Sequence, residues 1–305
     1  HAQFRRQRQM CIRDSLDLAD LVSIQRAPEA FAQLCTQPLL HIAVSADLSQ
    51  PLHLSYRGSS WPVIIDAAPN VKLTLTEAYE SDQAQQQTLW LRLGANSLVT
   101  HARNSFYSTA LHWQFVSVQA HAHSHYRLHN HALASSLRRQ DTQIQLVGDG
   151  AHAELNSAVM VAERLNLDQQ ITIEHIGAQT SSHQRVHNII ADRGQSTFNG
   201  RIHIHNGAKK SNAQLSNKNI GLGASATINT KPELEIYNDD VSCAHGATIG
   251  RLDDSQLFYL CSRGVAPAAA RRLLCEGFLH QCVDGPLADT ARPALIGPLQ
   301  DMSMA

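Results

Sequence analysis

Cys243 and His245 stand two residues apart in Cys243-Ala244-His245, inside the stretch Lys231–Gly250 (KPELEIYNDDVSCAHGATIG). In an extended strand, residues i and i+2 project from one face about 7 Å apart, so this thiol and imidazole can both meet one soft ion or cluster edge. A thiolate with an imidazole suits iron or zinc. Two donors do not complete a site, because tetrahedral zinc or an iron-sulfur cluster takes three or four protein ligands. The same spacing also fits a buried cysteine packed as a small hydrophobe beside a histidine bonded to backbone. Asp239 and Asp240, just ahead of the pair, are either hard ligands or a carboxylate partner for His245, or, with Asn238, simply the hydrogen-bonding residues of a turn. Gly246 leaves room for close backbone approach beside the imidazole.

A second group is rich in imidazole. His121, His123 and His125 alternate, and so do His129 and His131, in a chain with 18 histidines. Alternation on a strand sets each group on one face, which suits either a metal site or a solvated polar sheet surface. Lys209 and Lys210 read as a solvated turn. No GxxxxGK[ST] loop is present; Gly221-Leu222-Gly223-Ala224-Ser225 lacks the following lysine, so ATP chemistry belongs elsewhere.

The elements that must position these groups read as short strands. From His41 to about Leu260 the chain runs through short apolar or alternating segments, among them PVIID, TLWLRLG, ITIEHIG, RIHIHNG and LEIY, punctuated by Gly, Asn and Asp. Dense short strands without helical crossovers predict an all-β core. Gly177-Ala178-Gln179 and Gly207-Ala208-Lys209 each follow an alternating strand at an offset of 30 residues (207 minus 177), with Gln184 and Gln214 at the same offset. Thr197-Phe198-Asn199-Gly200 similarly falls opposite Thr227-Ile228-Asn229-Thr230. A fixed period joining strand, turn and strand predicts a solenoid, a parallel β-helix, with an antiparallel sandwich as the alternative.

Helical segments flank this core. Residues 28–37 (PEAFAQLCTQ) read as a short helix opening on proline. Asp253-Asp254-Ser255 starts a helix over QLFYLCSRG that stops at Gly264, and a second begins near Pro267, carrying Cys275 and Cys282 seven apart on one packing side. The Pro-, Gly- and Ala-rich tail after Asp284 is expected to be weakly ordered. The boundaries that follow are 16–40 as the remnant of an N-terminal helical region, 41–253 as the β-helix core and 254–305 as the C-terminal helical segment. Residues 1–15 (HAQFRRQRQMCIRDS), without Met at position 1, resemble read-through of a sequencing adapter and carry no functional weight.

Composition narrows the function classes. Lys+Arg 25 against Asp+Glu 26 and 5% aromatics offer neither the basic patch nor the stacking surface of a nucleic-acid binder. Six cysteines without a CxxC read as reduced thiols, and no apolar run reaches membrane-spanning length. These features together predict a cytoplasmic protein.

The block Phe198–Gly264, with KPELEI at Lys231–Ile236 and C-x-HGAT at Cys243–Thr248, resembles the SufB/SufD family of iron-sulfur cluster assembly scaffolds. It is similar to the SufD side, where C-x-HGAT stands in place of an EHEAT-like stretch on the SufB side. The resemblance implies a right-handed parallel β-helix with a C-terminal helical segment, in a complex with a SufB-like subunit and a SufC-like ATPase. It further implies that Cys243 and His245 handle iron or a nascent cluster, transiently and shared across the interface with SufB, and that residues 254–283 dock SufC. On that reading the subunit is a non-catalytic scaffold. Two other readings are a metal-dependent or carbohydrate-active β-helix enzyme using the His-rich strand 121–131, where acids are sparse, and a purely structural partner that binds no metal.

Overall fold

The computed structural model describes residues 39–56, 62–79, 83–106 and 110–299, together with the backbone of Met10–Cys11 and Val22–Arg26. From Leu40–Val44 onward, successive strands alternate between two nine-stranded sheets, each strand pairing in parallel with the second strand after it. That connectivity is a parallel β-solenoid in which each coil gives one strand to each sheet. The sandwich alternative fails because the only antiparallel strand pairings among the described residues are the two that involve Met10–Cys11 and Val22–Arg26. The helix expected at residues 28–37 lies outside the described residues.

Alternation decides what each strand buries. In Gln195–Ile204, Ser196, Phe198, Gly200, Ile202 and Ile204 face inward and are buried, while Thr197, Arg201 and His203 face out. Stacked inward rows of this kind form one continuous core from Ile42 to Leu215. The coil lengthens along the chain. Leu40 pairs with Val63 (63 − 40 = 23), Val63 with Leu89 (26), Arg138 with Leu167 (29) and Gln195 with Thr227 (32). The 30-residue echo therefore holds only locally. Gly177–Gln179 and Gly207–Lys209 do stack, Gln179 N donating to Lys209 O at 2.7 Å. Gln184, however, pairs with Leu215 rather than Gln214, so Gln184 is buried and Gln214 exposed, and Thr197 pairs with Asn229 rather than Thr227.

One corner of each coil uses a left-handed residue: Asn70, Asn96, His123, Gly150, Gln179 and Lys210, with φ between 54° and 67°. The first five each donate the backbone N–H to the carbonyl just before the next such residue, in the series Ala95, Ala122, Asp149, Ala178 and Lys209, and Lys210 donates to Asp240. The ladder places Lys210 and Asp240 in structural turns. It also breaks the expected histidine trio, because His123 is a corner residue, His121 precedes the corner and only His125 begins the next strand. A Cβ on Gly150 would sit 2.4 Å from Nδ1 of His123, and its φ of 67° is costly for any L side chain. Gly150→Ala is expected to lose about 1–2 kcal/mol in a denaturant titration, whereas Gly246→Ala, where a Cβ meets nothing within 4 Å, should stay within about 0.5 kcal/mol of wild type.

Three helices follow the solenoid: Asp254–Ser262 (α1), Pro267–His280 (α2) and Ala288–Ile296 (α3). Asp253 caps α1, its carboxylate accepting from Ser255 N at 2.8 Å, and Pro267 opens α2. Cys275, Leu279 and Cys282 from the α2 region and Ala288, Ala291 and Leu295 of α3 cover the outward-facing Ala158, Met160 and Ile189. Burial pushes the Cys275 and Cys282 thiols up to about 12, as packing cysteines require. The tail expected to be weakly ordered is thus an anchored helix through its described part. Ala288, Ala291 and Leu295 recur at helical spacing, and Asn104 donates to Thr290 Oγ1 at 2.9 Å.

This segment also buries the second histidine pair. His129 Nδ1 meets Asp284 at 2.6 Å, His131 Nδ1 meets Asn104 Oδ1 at 2.9 Å, and His187 stacks on Phe278 with centroids 4.5 Å apart. The polar face expected to be solvated is therefore roofed. Burial holds His131, and inside the solenoid His175, down to about 4. The unfolded chain takes up these protons near pH 6.5 and the folded chain only near 4, so stability is complete above that window and falls as pH drops through it. Thermal melts between pH 7 and 4 should lose on the order of 3 kcal/mol for each of the two. His131→Gln and His175→Gln should flatten the slope.

Candidate functional site

Val241–Gly250 is the last strand of one sheet and Thr227–Ile236 the last of the other. Each pairs on one side only, with Ser211–Gly221 and Gln195–Ile204, so no described strand covers their far edges. Among the described residues the solenoid is open at this end, and no strand continues its inward rows.

Register places the two predicted ligands in that opening. Cys243 lies over Ala213 and His245 over Leu215, both buried inward residues of the coil beneath. Cys243 and His245 therefore both face the solenoid axis, Cys243 half-buried against the core and His245 exposed. Burial pushes the Cys243 thiol up, only partly opposed by a hydrogen bond with the Ala213 backbone. Such a thiol is protonated at neutral pH and needs an incoming cation to become a thiolate ligand. Among the described residues, no third His, Cys, Asp or Glu closes on the pair to make a three-donor group.

The neighbouring acids take another part. Asn238 Oδ1 accepts from Asp240 N at 3.0 Å, its Nδ2 donates to Asn206 O at 2.6 Å, and Lys210 N donates to Asp240 O. Asp239 and Asp240 belong to a turn, the plainer of the two readings. Gly246 is paired with Ser216 in the ladder, and a Cβ on it would meet nothing within 4 Å among the described residues.

Sequence reasoning missed the apolar surround. Ile236 and Ile249, on the inward rows of the two last strands, are 45% and 56% exposed, and Tyr237 is 60% exposed. Helix α1 buries no residue and presents Phe258 at 75% and Tyr259 at 57% exposure. Exposed aromatic and aliphatic groups beside unpaired strand edges are what an obligate partner surface looks like before pairing. In sequence these residues read as ordinary core positions, and only the absence of a following coil exposes them.

Residues 55–278 match the family described as SUF system FeS cluster assembly, SufBD core domain. The chain belongs to the SufBD core family. It is 36% identical over 156 residues to the iron-sulfur cluster assembly protein SufD of Escherichia coli, covering 51% of this chain and 37% of that protein. It is 31% identical over 287 residues to a SufBD family protein of Synechocystis, covering 85% and 63%. It is 31% identical over 185 residues to the chloroplastic protein ABCI7 of Arabidopsis thaliana, covering 60% and 38%. The matched part thus spans less than two thirds of each of these relatives. The SufBD match includes both last strands, α1 and nearly all of α2, so the open end lies within the shared domain. Relatives named SufD agree with the KPELEI and C-x-HGAT reading. No helix among the described residues is long and apolar enough to cross a membrane.

Proposed function

We propose that this chain is a non-catalytic scaffold and adaptor of cytoplasmic iron-sulfur cluster assembly whose open solenoid end pairs with a SufB-like subunit. The observation that carries the proposal is the convergence of Cys243 and His245 on the axis, at an end where the described residues leave two strand edges unpaired and the inward-row Ile236 and Ile249 exposed. Iron or a nascent cluster is the cargo. This chain gives it a thiolate and an imidazole, and the partner supplies the remaining donors. Residues 254–283, with the unburied helix α1, dock a SufC-like ATPase through Phe258 and Tyr259. No nucleic acid or membrane is needed as a partner.

The enzyme reading on residues 121–131 loses its support. Its histidines are split between a corner, one exposed strand start and two buried positions held by Asp284 and Asn104.

Co-expression with SufB-like and SufC-like subunits tests the assignment. The wild-type chain should co-purify with both. Ile249→Asp should weaken the SufB-like contact at least about thirtyfold, roughly 2 kcal/mol at an interface anchor, and Phe258→Asp should do the same for the SufC-like contact alone. Failure of the wild-type chain to retain either subunit would overturn the proposal.

A further inference from the structure

A second cluster of donors lies on the outer face of the other sheet, apart from the solenoid axis. Glu174, His203 and Glu235 are successive partners in the parallel ladder, and His205 follows His203 by two. Ligand atoms of Glu174, His203 and His205 all lie within 4.8 Å of one another. His205 Nε2 meets Glu174 Oε2 at 3.2 Å, and the His203 and His205 rings stack with centroids 4.0 Å apart, 15° from parallel. Glu235 Oε2 faces His203 Nδ1 at 4.0 Å and receives Arg201 Nη2 at 2.5 Å, while Tyr237 closes one side with its ring 5.4 Å from His203.

We propose that Glu174, His203 and His205 bind one first-row divalent cation of the zinc or ferrous class. Two imidazoles and one carboxylate are the donor set of open zinc and non-haem iron sites, and hard ions such as magnesium prefer an all-oxygen shell. Around one such ion, donors at about 2.0–2.2 Å sit roughly 3.3 Å from each other, so the observed set closes by side-chain rotation on a fixed backbone. A cation there takes the place of the proton shared between His205 and Glu174. Glu235, held by Arg201, stands 4.0 Å from His203 Nδ1, so a small rotation on metal binding would let it accept the Nδ1–H and leave Nε2 to the metal. The three ligand side chains are 20–37% exposed, so the remaining coordination positions are open to water or a small anion.

These ligands share no residue with the Cys243 and His245 pair, so the two assignments stand or fall separately. Cobalt(II) titration of the chelator-treated chain, read by its visible ligand-field bands and by calorimetry, tests the site. Wild type should bind one equivalent at a nitrogen and oxygen site without a sulfur charge-transfer band, and excess magnesium should not displace it. His203→Ala/His205→Ala should lose that equivalent, Glu235→Gln should weaken it about tenfold as an orienting partner, and Cys243→Ser should leave it intact. Glu174→Gln, close in shape to the native residue, should also lose it, which keeps the test meaningful if the double variant misfolds. Undiminished cobalt binding in Glu174→Gln or the double histidine variant, or no equivalent in wild type, overturns the site.

Discussion

Cys243→Ser and His245→Ala are each expected to cut cluster assembly by a complex with SufB-like and SufC-like subunits at least about tenfold, while the complex still forms. The separation follows from where the side chains point. Both face the uncapped axis, whereas pairing with a partner strand uses backbone N–H and C=O groups of Val241–Gly250 that neither substitution touches. Serine keeps nearly the shape of cysteine and loses the soft donor. Alanine at the exposed His245 removes the imidazole and costs the fold little, since the side chain is not part of the packed core. Iron and sulfide content of the purified complexes, with subunit ratios from the same fractions, checks both halves. Normal assembly in both variants would reduce this end to a purely structural interface.

The second large effect concerns the fold. Inside the N-terminal coils, His101 Nε2 bonds Glu77 Oε2 at 2.8 Å, His101 Nδ1 bonds the Tyr126 hydroxyl at 2.8 Å, and Tyr56 donates to Glu77 Oε1 at 2.7 Å. All four side chains are at most 1% exposed. Removing the imidazole takes one hydrogen-bond partner from the buried Glu77 carboxylate, leaving it the Tyr56 hydroxyl and the nearby Arg103, and leaves the buried Tyr126 hydroxyl without His101, which together cost about 3 kcal/mol. His101→Ala should therefore lose about that much by denaturant titration. Glu77→Leu with His101→Met should recover only part of it, because an apolar pair of similar volume removes the carboxylate together with its imidazole partner but takes the counter-charge from the buried Arg103. The pH dependence has a definite sign. Burial pushes the Glu77 carboxyl up, yet His101, Arg103 and the Tyr56 hydroxyl together hold it below the ordinary carboxylate value. A depressed carboxylate stabilises the folded chain above the unfolded value near 4.3, and that contribution is lost as pH falls through the folded one. Wild type should show this loss below about pH 4 and the apolar pair should not.

Much of this was legible because it is written in consecutive residues. Alternation gave the strands, Asp253 and Pro267 marked the helix starts, and Cys243 with His245 shared a face by spacing alone. What escaped depends on register between coils. Glu77 and His101 are neighbours in space but 24 residues apart, and Glu174 meets His205 across 31, in coils whose length drifts from 23 to 32 residues. A fixed period cannot align such coils, which is why Gln184 and Gln214 looked equivalent and face opposite ways. The histidine trio misled because alternation assumes continuous extension, and His123 holds a φ of 54° at a corner. Helix α3 was hidden by Pro293 and its alanines, although Ala288, Ala291 and Leu295 already had helical spacing.

The central claim is that the opening around Cys243 is half of a site completed by another subunit. Alkylation of cysteines, followed residue by residue in a mass spectrometer, tests it directly. In the isolated chain Cys243 should react slowly but measurably, being half-exposed with a raised thiol, and the buried Cys275 and Cys282 should not react. On binding a SufB-like subunit, Cys243 should become protected at least about tenfold while Cys275 and Cys282 stay unchanged. Equal labelling of Cys243 in the free chain and in the complex would place the partner elsewhere and contradict the shared site.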